Sequence, residues 1–175
     1  SKNVVFVGKP PKKRAQRELS RRGFKQEIVE EQLTRSQLFR ARVAANGRPH
    51  GRAEPIAVAG SVSHPRVSPD GKLVAIGVAP NSLIDSYYMK RRIQIIDLSS
   101  GKMVGEVKRE GKLGDWRWSP DSKHLAIIGA ADPHDPSAGR LLLADAKGAF
   151  VRELLPNYAG HISAVAWKNA TTAVY

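Results

Sequence analysis

The chain has 175 residues, enough for one ordinary domain with a hydrophobic core, and its 41% hydrophobic content excludes a disordered tail. It has no cysteine, which excludes disulfides and thiolate metal sites, and its longest apolar stretch, residues 73–80, is far shorter than the roughly 20 residues that cross a membrane. The net charge of +13 is concentrated, because eight Lys/Arg residues and one acidic residue lie between Lys9 and Lys25.

The first sixty residues predict three strands of a blade and a basic insertion, which contains a helix and an added strand. "NVVFVG", residues 3–8, is a short apolar strand, and "KKRAQRELSRR", residues 12–22, is a surface helix between Pro11 and Gly23. "FKQEIVEEQ", residues 24–32, alternates enough to predict an added strand. "QLFRARVAANGRP" and "EPIAVAG", residues 37–49 and 54–60, then predict a strand with its turn and one further strand.

The rest of the chain repeats itself. "SPDGKLVAIG" from Ser68 and "SPDSKHLAIIG" from Ser119 lie 51 positions apart, and a weaker third start appears at "AVAWKNATTAVY". The halves that follow, from Arg92 and from Gly139, also match. Each repeat reads strand A, Ser-Pro-Asp turn, strand B, loop, strand C, glycine turn, strand D. Four antiparallel strands every 40–50 residues or so indicate a β-propeller blade.

The predicted fold is therefore all-β, a partial β-propeller of four-stranded antiparallel blades with one short helical insertion near the N-terminus. Residues 1–60 form an incomplete blade with the basic insertion, 61–110 and 111–156 form two blades, and 157–175 start another. Closed propellers have roughly 4–8 blades, so we expect a segment of a larger ring. The end blades would expose apolar faces, and we expect the isolated chain to self-associate.

The long insertions all follow a strand B. They span residues 9–37, 79–92 and 130–139, whereas the A–B and C–D turns are short. Because strands alternate in direction, the B–C loops share one face of the propeller. That face is predicted to carry recognition or docking.

Two clusters in these loops are candidate contacts for a substrate or a domain. Tyr87, Tyr88, Arg91 and Arg92 form a polar cluster that we expect to face solvent. Asp132, His134 and Asp135, in "DPHDP", could bind a hard cation, but a rigid loop with aspartate-capped turns is favoured. The candidate contact residues are Tyr87, Tyr88, Arg91, Arg92, Asp132, His134 and Asp135.

Three other features have a structural and a functional interpretation. Trp116, Trp118 and Trp167 could stack on a base or a sugar, but the recurrence of the last two favours packing between blades. His161 is expected to bridge blades. The basic segment between Lys9 and Lys25 could neutralise phosphates, yet it matches no groove-binding module, so a solvated loop or a contact with an acidic domain is favoured over nucleic acid.

No catalytic constellation is recognisable in the sequence. "GSVSH", residues 60–64, lacks the second glycine of Gly-x-Ser-x-Gly and is expected to start strand A. Walker loops, Gly-x-Gly-x-x-Gly and His-Glu-x-x-His are absent. No catalytic residue, cofactor or metal is therefore predicted.

The segment "GKLGDWRWSPDSKHLAIIGAADPHDPSAGRLLLADAKG", with "ELLPNYAGHISAVAW" after it, resembles the propeller of bacterial prolyl-oligopeptidase-family serine peptidases, including acylaminoacyl-peptidase-like and dipeptidyl-peptidase-like members. The similarity spans nearly the whole chain. Ser122 stands where glycine is usual, and Val67 where an aromatic residue is usual. The resemblance implies a propeller that caps an α/β-hydrolase domain with a Ser-Asp-His triad, and no position here matches its nucleophile motif.

The function expected from this resemblance is a non-catalytic propeller segment that gates peptide access to the α/β-hydrolase domain and docks on it. That domain, in the same protein, and a peptide substrate are the expected partners, and no membrane is expected. The alternative is a protein-binding propeller of the Tol-system or WD-repeat kind, without peptidase activity. No leader pattern opens the sequence, and its location is left open between cytoplasm and periplasm.

Overall fold

A computed structural model describes residues 2–26, 33–149 and 151–175 of the chain. These residues form antiparallel sheets that follow one another along the sequence, joined by short turns and by longer loops. The strand predicted over residues 24–32 falls for the most part outside the described residues. Within the described part of the chain, no helix is long and apolar enough to span a bilayer.

The first sheet has three strands in the order β1 (Lys2–Gly8), β2 (Gln37–Val43) and β3 (Pro49–Ile56). The predicted bounds of the third strand, 54–60, were wrong. A tight turn, in which the Ala44 amide donates to the Arg48 oxygen at 3.0 Å, reverses the chain early, so that Val43 already pairs with Pro49.

Helix α1 (Arg14–Arg21) lies between β1 and β2, as predicted. None of its residues is buried, and Gly23, at φ +93°, follows its end. The thin apolar content of this helix explains its position on the surface, because it offers little that a sheet could bury.

The next two sheets have four strands each, in sequential antiparallel order, which confirms the blade pattern. One contains β4 (Ser61–Val67), β5 (Leu73–Ala79), β6 (Arg92–Asp97) and β7 (Met103–Val107). The other contains β8 (Leu113–Trp118), β9 (His124–Ala130), β10 (Gly139–Asp145) and β11 (Val151–Glu153). The strands β12 (Ala166–Trp167) and β13 (Ala173–Val174) form a final pair.

The helical insertion predicted near the N-terminus is present as α1, and a second helix, α2 (Ile84–Met89), lies between β5 and β6. It has only six residues, two of them tyrosines, so its intrinsic helix propensity is low. The side-chain oxygen of Asn81 accepts a hydrogen bond from the Leu83 amide at 3.0 Å just before the helix, and Ser86 is buried. Tertiary contacts therefore stabilise a helix that composition does not predict.

The two Ser-Pro-Asp turns share the same side-chain hydrogen bonds. In the third sheet the Ser119 hydroxyl donates to Asp121 at 2.6 Å and accepts from the His124 amide at 2.9 Å. Ser68 makes the same bonds to Asp70 and Leu73. The serine hydroxyls lower the pKa of Asp70 and Asp121 below the usual value, because they donate to the charged carboxylate.

The tryptophans connect consecutive sheets, which confirms that they pack between blades. The Trp118 indole N–H donates to the Arg66 oxygen at 2.7 Å, and the Trp167 indole N–H donates to the Arg117 oxygen at 2.9 Å. Both bonds join strand A of one sheet to strand A of the preceding one. The predicted bridge at His161 is also present, since its Nδ1 accepts from the Gly139 amide at 2.9 Å.

The hydrophobic core is a series of layers between neighbouring sheets. Leu38 of the first sheet packs with Val74 and Ile76 of the second. Ile93 and Ile95 of the second sheet pack with residues of the third that include Trp116. In the described residues these core layers lie between sheets, so the stability of the fold depends on the stacking of one sheet on the next.

Substitution of Gly105 by alanine should destabilise the fold. A methyl group at Gly105 of β7 would overlap the backbone oxygen of Lys147 in the β10–β11 turn, so the sheets would have to separate. We expect Gly105→Ala to lower the free energy of unfolding by about 1–3 kcal/mol or more, measured by urea denaturation. Gly8→Ala, whose new methyl would lie 3.4 Å from the Phe39 ring, is the matched control and should be close to neutral. Equal stability of the two variants would contradict this packing.

Candidate functional site

A cleft lies between the loop after β1 and the loop after β5, both of which connect a strand B to a strand C. Its volume is about 390 Å³. Serine side chains of β4 and of the two loops line it together with an aromatic wall of Tyr87 and Tyr88, and Lys9 is the charged residue among the described lining. The Ser61 hydroxyl accepts from the Ser36 amide at 3.2 Å, which connects the two sheets at the cleft.

The two tyrosines present their rings at right angles. Their centroids lie 5.2 Å apart with an interplanar angle of 85°. Tyr88 is 52% exposed and Tyr87 is half-buried, so Tyr88 is the side chain with the larger free surface. Exposed aromatic rings of this kind supply apolar contact area at a low cost in conformational entropy.

Arg91 is not solvent-facing, contrary to the prediction. It is only 4% exposed, and its guanidinium carbon lies 4.6 Å from the Tyr87 ring centroid and 5.5 Å from that of Trp116. The guanidinium also donates to the backbone oxygen of Leu113. A buried cation needs such partners, and here they come from helix α2 and from β8 of the third sheet. Arg91 thus holds the tyrosine wall against the third sheet.

Arg92 does not line the cleft. Its guanidinium donates to the Arg91 oxygen at 3.3 Å, and the side chain is half-buried. Of the four predicted residues in this cluster, the structure places Tyr87 and Tyr88 in the cleft wall, with Arg91 behind them.

Sequence reasoning missed His64, which contacts this cluster. Its Nδ1 lies 3.2 Å from Arg91 Nη1 and 3.4 Å from the Tyr87 hydroxyl, and its ring centroid lies 5.8 Å from that of Trp116. His64 has φ +47° and sits where the β4–β5 register shifts. The signal in the sequence was "SVSHPRV", in which a histidine and a proline interrupt a strand.

Charged side chains surround His64 on the adjacent strands A. Asp115 of β8 accepts from Arg66 at 3.0 Å and from Arg117 at 2.6 Å. Partial burial lowers the pKa of His64 below its usual value, and the positive charges of Arg91 and Arg66 lower it further, while Asp115 opposes them. The lowered pKa favours the neutral form of the imidazole.

None of the residues in "DPHDP" lines the cleft. Asp132 accepts from the His134 amide at 2.8 Å, and Asp135 forms a 2.5 Å ion pair with Lys112. The aspartates thus bind their own loop and a neighbouring one. In residues 2–26, 33–149 and 151–175, no group of three potential metal ligands comes together. These contacts favour the rigid-loop interpretation.

Titration of His64 tests the electrostatics of this cluster. NMR should give a midpoint below pH 6.5, and Arg91→Gln should raise the pKa because a neighbouring positive charge is lost. Arg66→Gln should raise it less. Because the unfolded chain takes up this proton first, His64 should lower the free energy of unfolding as the pH falls through 6.5 towards the folded pKa. A midpoint above 6.5 in the unaltered chain would contradict the arrangement.

No family model matches the sequence, and no curated protein matches it. Several solved structures do. The β-propeller domain of the Trilobed protease from Pyrococcus furiosus is matched over 95% of this chain and 43% of that chain, with a TM-score of 0.50 and 17% identity. The acylaminoacyl peptidase of Pyrococcus horikoshii is matched over 81% and 24%, with a TM-score of 0.55 and 16% identity.

The tricorn protease is also similar, over 75% of this chain and 12% of that one, with a TM-score of 0.55 and 18% identity. The chain thus spans less than half the length of each of these three structures. At such identities the similarity concerns the fold. Together with the two four-stranded antiparallel sheets, it shows that the chain has a β-propeller fold.

Proposed function

We propose that the chain is a non-catalytic propeller segment of a serine peptidase, whose B–C face docks on an α/β-hydrolase domain and controls the entry of peptides. The observation that carries this proposal is the cleft of about 390 Å³ between the B–C loops of two adjacent blades. Its volume falls within the usual range of ligand sites, and its loops are the long connections of the fold.

The lining of the cleft suits an extended peptide. Hydroxyl groups of Ser36, Ser61 and Ser63 and the amide of Asn81 can exchange hydrogen bonds with a peptide backbone. The exposed ring of Tyr88 offers a surface for apolar side chains. These groups would bind the peptide backbone and apolar side chains in general, without selecting particular residues. They therefore fit a gate that admits peptides of many sequences.

The polar groups of the cleft favour binding over hydrolysis. The Ser63 hydroxyl donates to the Gly77 oxygen at 3.3 Å, and the Ser61 hydroxyl accepts from a backbone amide. Nowhere in the described chain is a serine hydroxyl hydrogen-bonded to a histidine side chain, and a serine nucleophile needs such a base. The matched structures support the propeller fold, and the assignment to a serine peptidase is our proposal.

The isolated chain should be inert towards serine-hydrolase reagents. A fluorophosphonate probe should label no residue, and peptide p-nitroanilides should remain intact, because no serine hydroxyl in the described part of the chain has an activating base. Downstream codons of the gene should encode Gly-x-Ser-x-Gly followed by Asp and His. Labelling of a serine in this chain would overturn the non-catalytic assignment, and a gene without the motif would overturn the assignment to a serine peptidase.

Removal of the exposed tyrosine ring should weaken peptide binding. Tyr88→Ala should raise the Kd for an acetylated, amidated Ala-Leu repeat peptide about 5- to 30-fold, measured by fluorescence anisotropy, because an aromatic contact is lost. Tyr158→Ala is the matched control, since Tyr158 is 41% exposed and lies outside the cleft. An equal loss of affinity in both variants would contradict the prediction that the peptide binds in this cleft.

A further inference from the structure

We propose that His64, with Arg66, forms a carboxylate-binding site on strand A of the second sheet, in which the imidazole Nε2–H donates to the ligand. This inference rests on the proposed function, because it names the peptide group that the propeller selects: a C-terminal or side-chain carboxylate. It is argued from the tautomer of His64, from the rigidity of its position and from the surrounding charge.

The contact with Arg91 fixes the tautomer. A guanidinium only donates hydrogen bonds, so Nδ1 of His64, 3.2 Å from Arg91 Nη1, must carry the lone pair. The proton of the neutral ring therefore lies on Nε2. The lowered pKa is consistent with this state, since a proton on Nδ1 would face a positive charge.

The imidazole is held in place by its backbone and by the rings around it. A non-glycine residue at φ +47° is strained, and such strain persists only where surrounding contacts determine the conformation. Here Trp116 and Tyr87 flank the ring. The His64 side chain is exposed to solvent, although partly buried against its neighbours, and among the described residues its side-chain hydrogen bonds are made by Nδ1, which leaves Nε2 without a partner there. A fixed donor is thus free for a ligand.

The charges near this donor favour an anion. Arg66 and Arg117 each contribute a guanidinium whose side chain is 36% and 45% exposed, respectively. The single carboxylate between them, Asp115, is shared by both. Of these groups, Arg66 and Asp115 act on His64 with opposite sign, and the guanidinium of Arg91 on the Nδ1 side leaves one positive charge in excess around the ring. Arginine and an N–H donor together recognise carboxylates through short charge-assisted hydrogen bonds.

The tautomer can be tested first, without any peptide. Nitrogen–proton correlation NMR of the imidazole at pH 7.5 should show His64 as the neutral Nε2–H form. Titration with acetate should then shift the Nε2 signals of His64. The Nδ1–H form, or a spectrum that acetate leaves unchanged, would overturn the inference.

Peptide binding then separates this inference from the proposed function. The Ala-Leu repeat peptide with a free C-terminal carboxylate should bind about tenfold more tightly than the same peptide amidated. His64→Ala should abolish this preference, His64→Gln should retain part of it through its amide donor, and Tyr88→Ala should weaken both peptides alike.

The possible failures are distinct. Equal affinity for the two peptides would overturn the carboxylate site and leave the peptide-binding cleft standing. Binding of neither peptide would overturn the proposed function, and the acetate titration would then decide on the carboxylate site alone. Circular dichroism spectra that match the unaltered chain would show that the variants are folded.

Discussion

The hydrogen bond from a strand A tryptophan to the preceding strand A is the constraint on which the structure depends. Each four-stranded sheet has two apolar faces and can bury them only against its neighbours. Trp118 and Trp167 donate to the carbonyls of Arg66 and Arg117, so the same bond sets the spacing of two successive sheet pairs. Close contacts such as Gly105 against Lys147 are possible only at that spacing. The tryptophans therefore fix how the layers of the core meet.

The geometry of the cleft follows from this packing. Arg91 leaves the second sheet, passes between Tyr87 and Trp116, and donates to the Leu113 oxygen of the third sheet. A methyl group at Gly77 would lie 2.8 Å from the Arg91 side chain and 2.9 Å from the Trp116 ring, so only glycine leaves room for this cation. The wall of the cleft is positioned by a residue that does not line it. Scaffold and site are thus coupled through one buried charge.

The sequence predicted the parts of the fold that depend on local interactions. The Ser-Pro-Asp turns and the apolar runs are specified within a few residues, and both four-stranded sheets were predicted from them. Helix α2 was missed because its stability comes from the burial of Ser86 and from the packing of Tyr87. The burial of Arg91 depends on His64 and Trp116, which lie 27 and 25 positions away in the chain. No periodicity encodes such contacts.

Two residues with strained backbone conformations are stabilised in different ways. Among the described residues, His64 and Ser122 are the non-glycine residues with positive φ. Ser122 occupies the glycine position of its turn, and its hydroxyl accepts from the Asp70 amide at 3.0 Å, so its strain is offset by a bond between two turns. In the described part of the chain, the hydrogen bonds of the His64 ring are instead made with the side chains of Arg91 and Tyr87. A strained residue that connects turns stabilises the scaffold, whereas a strained residue held by Arg91 and Tyr87 keeps a donor in place for a ligand.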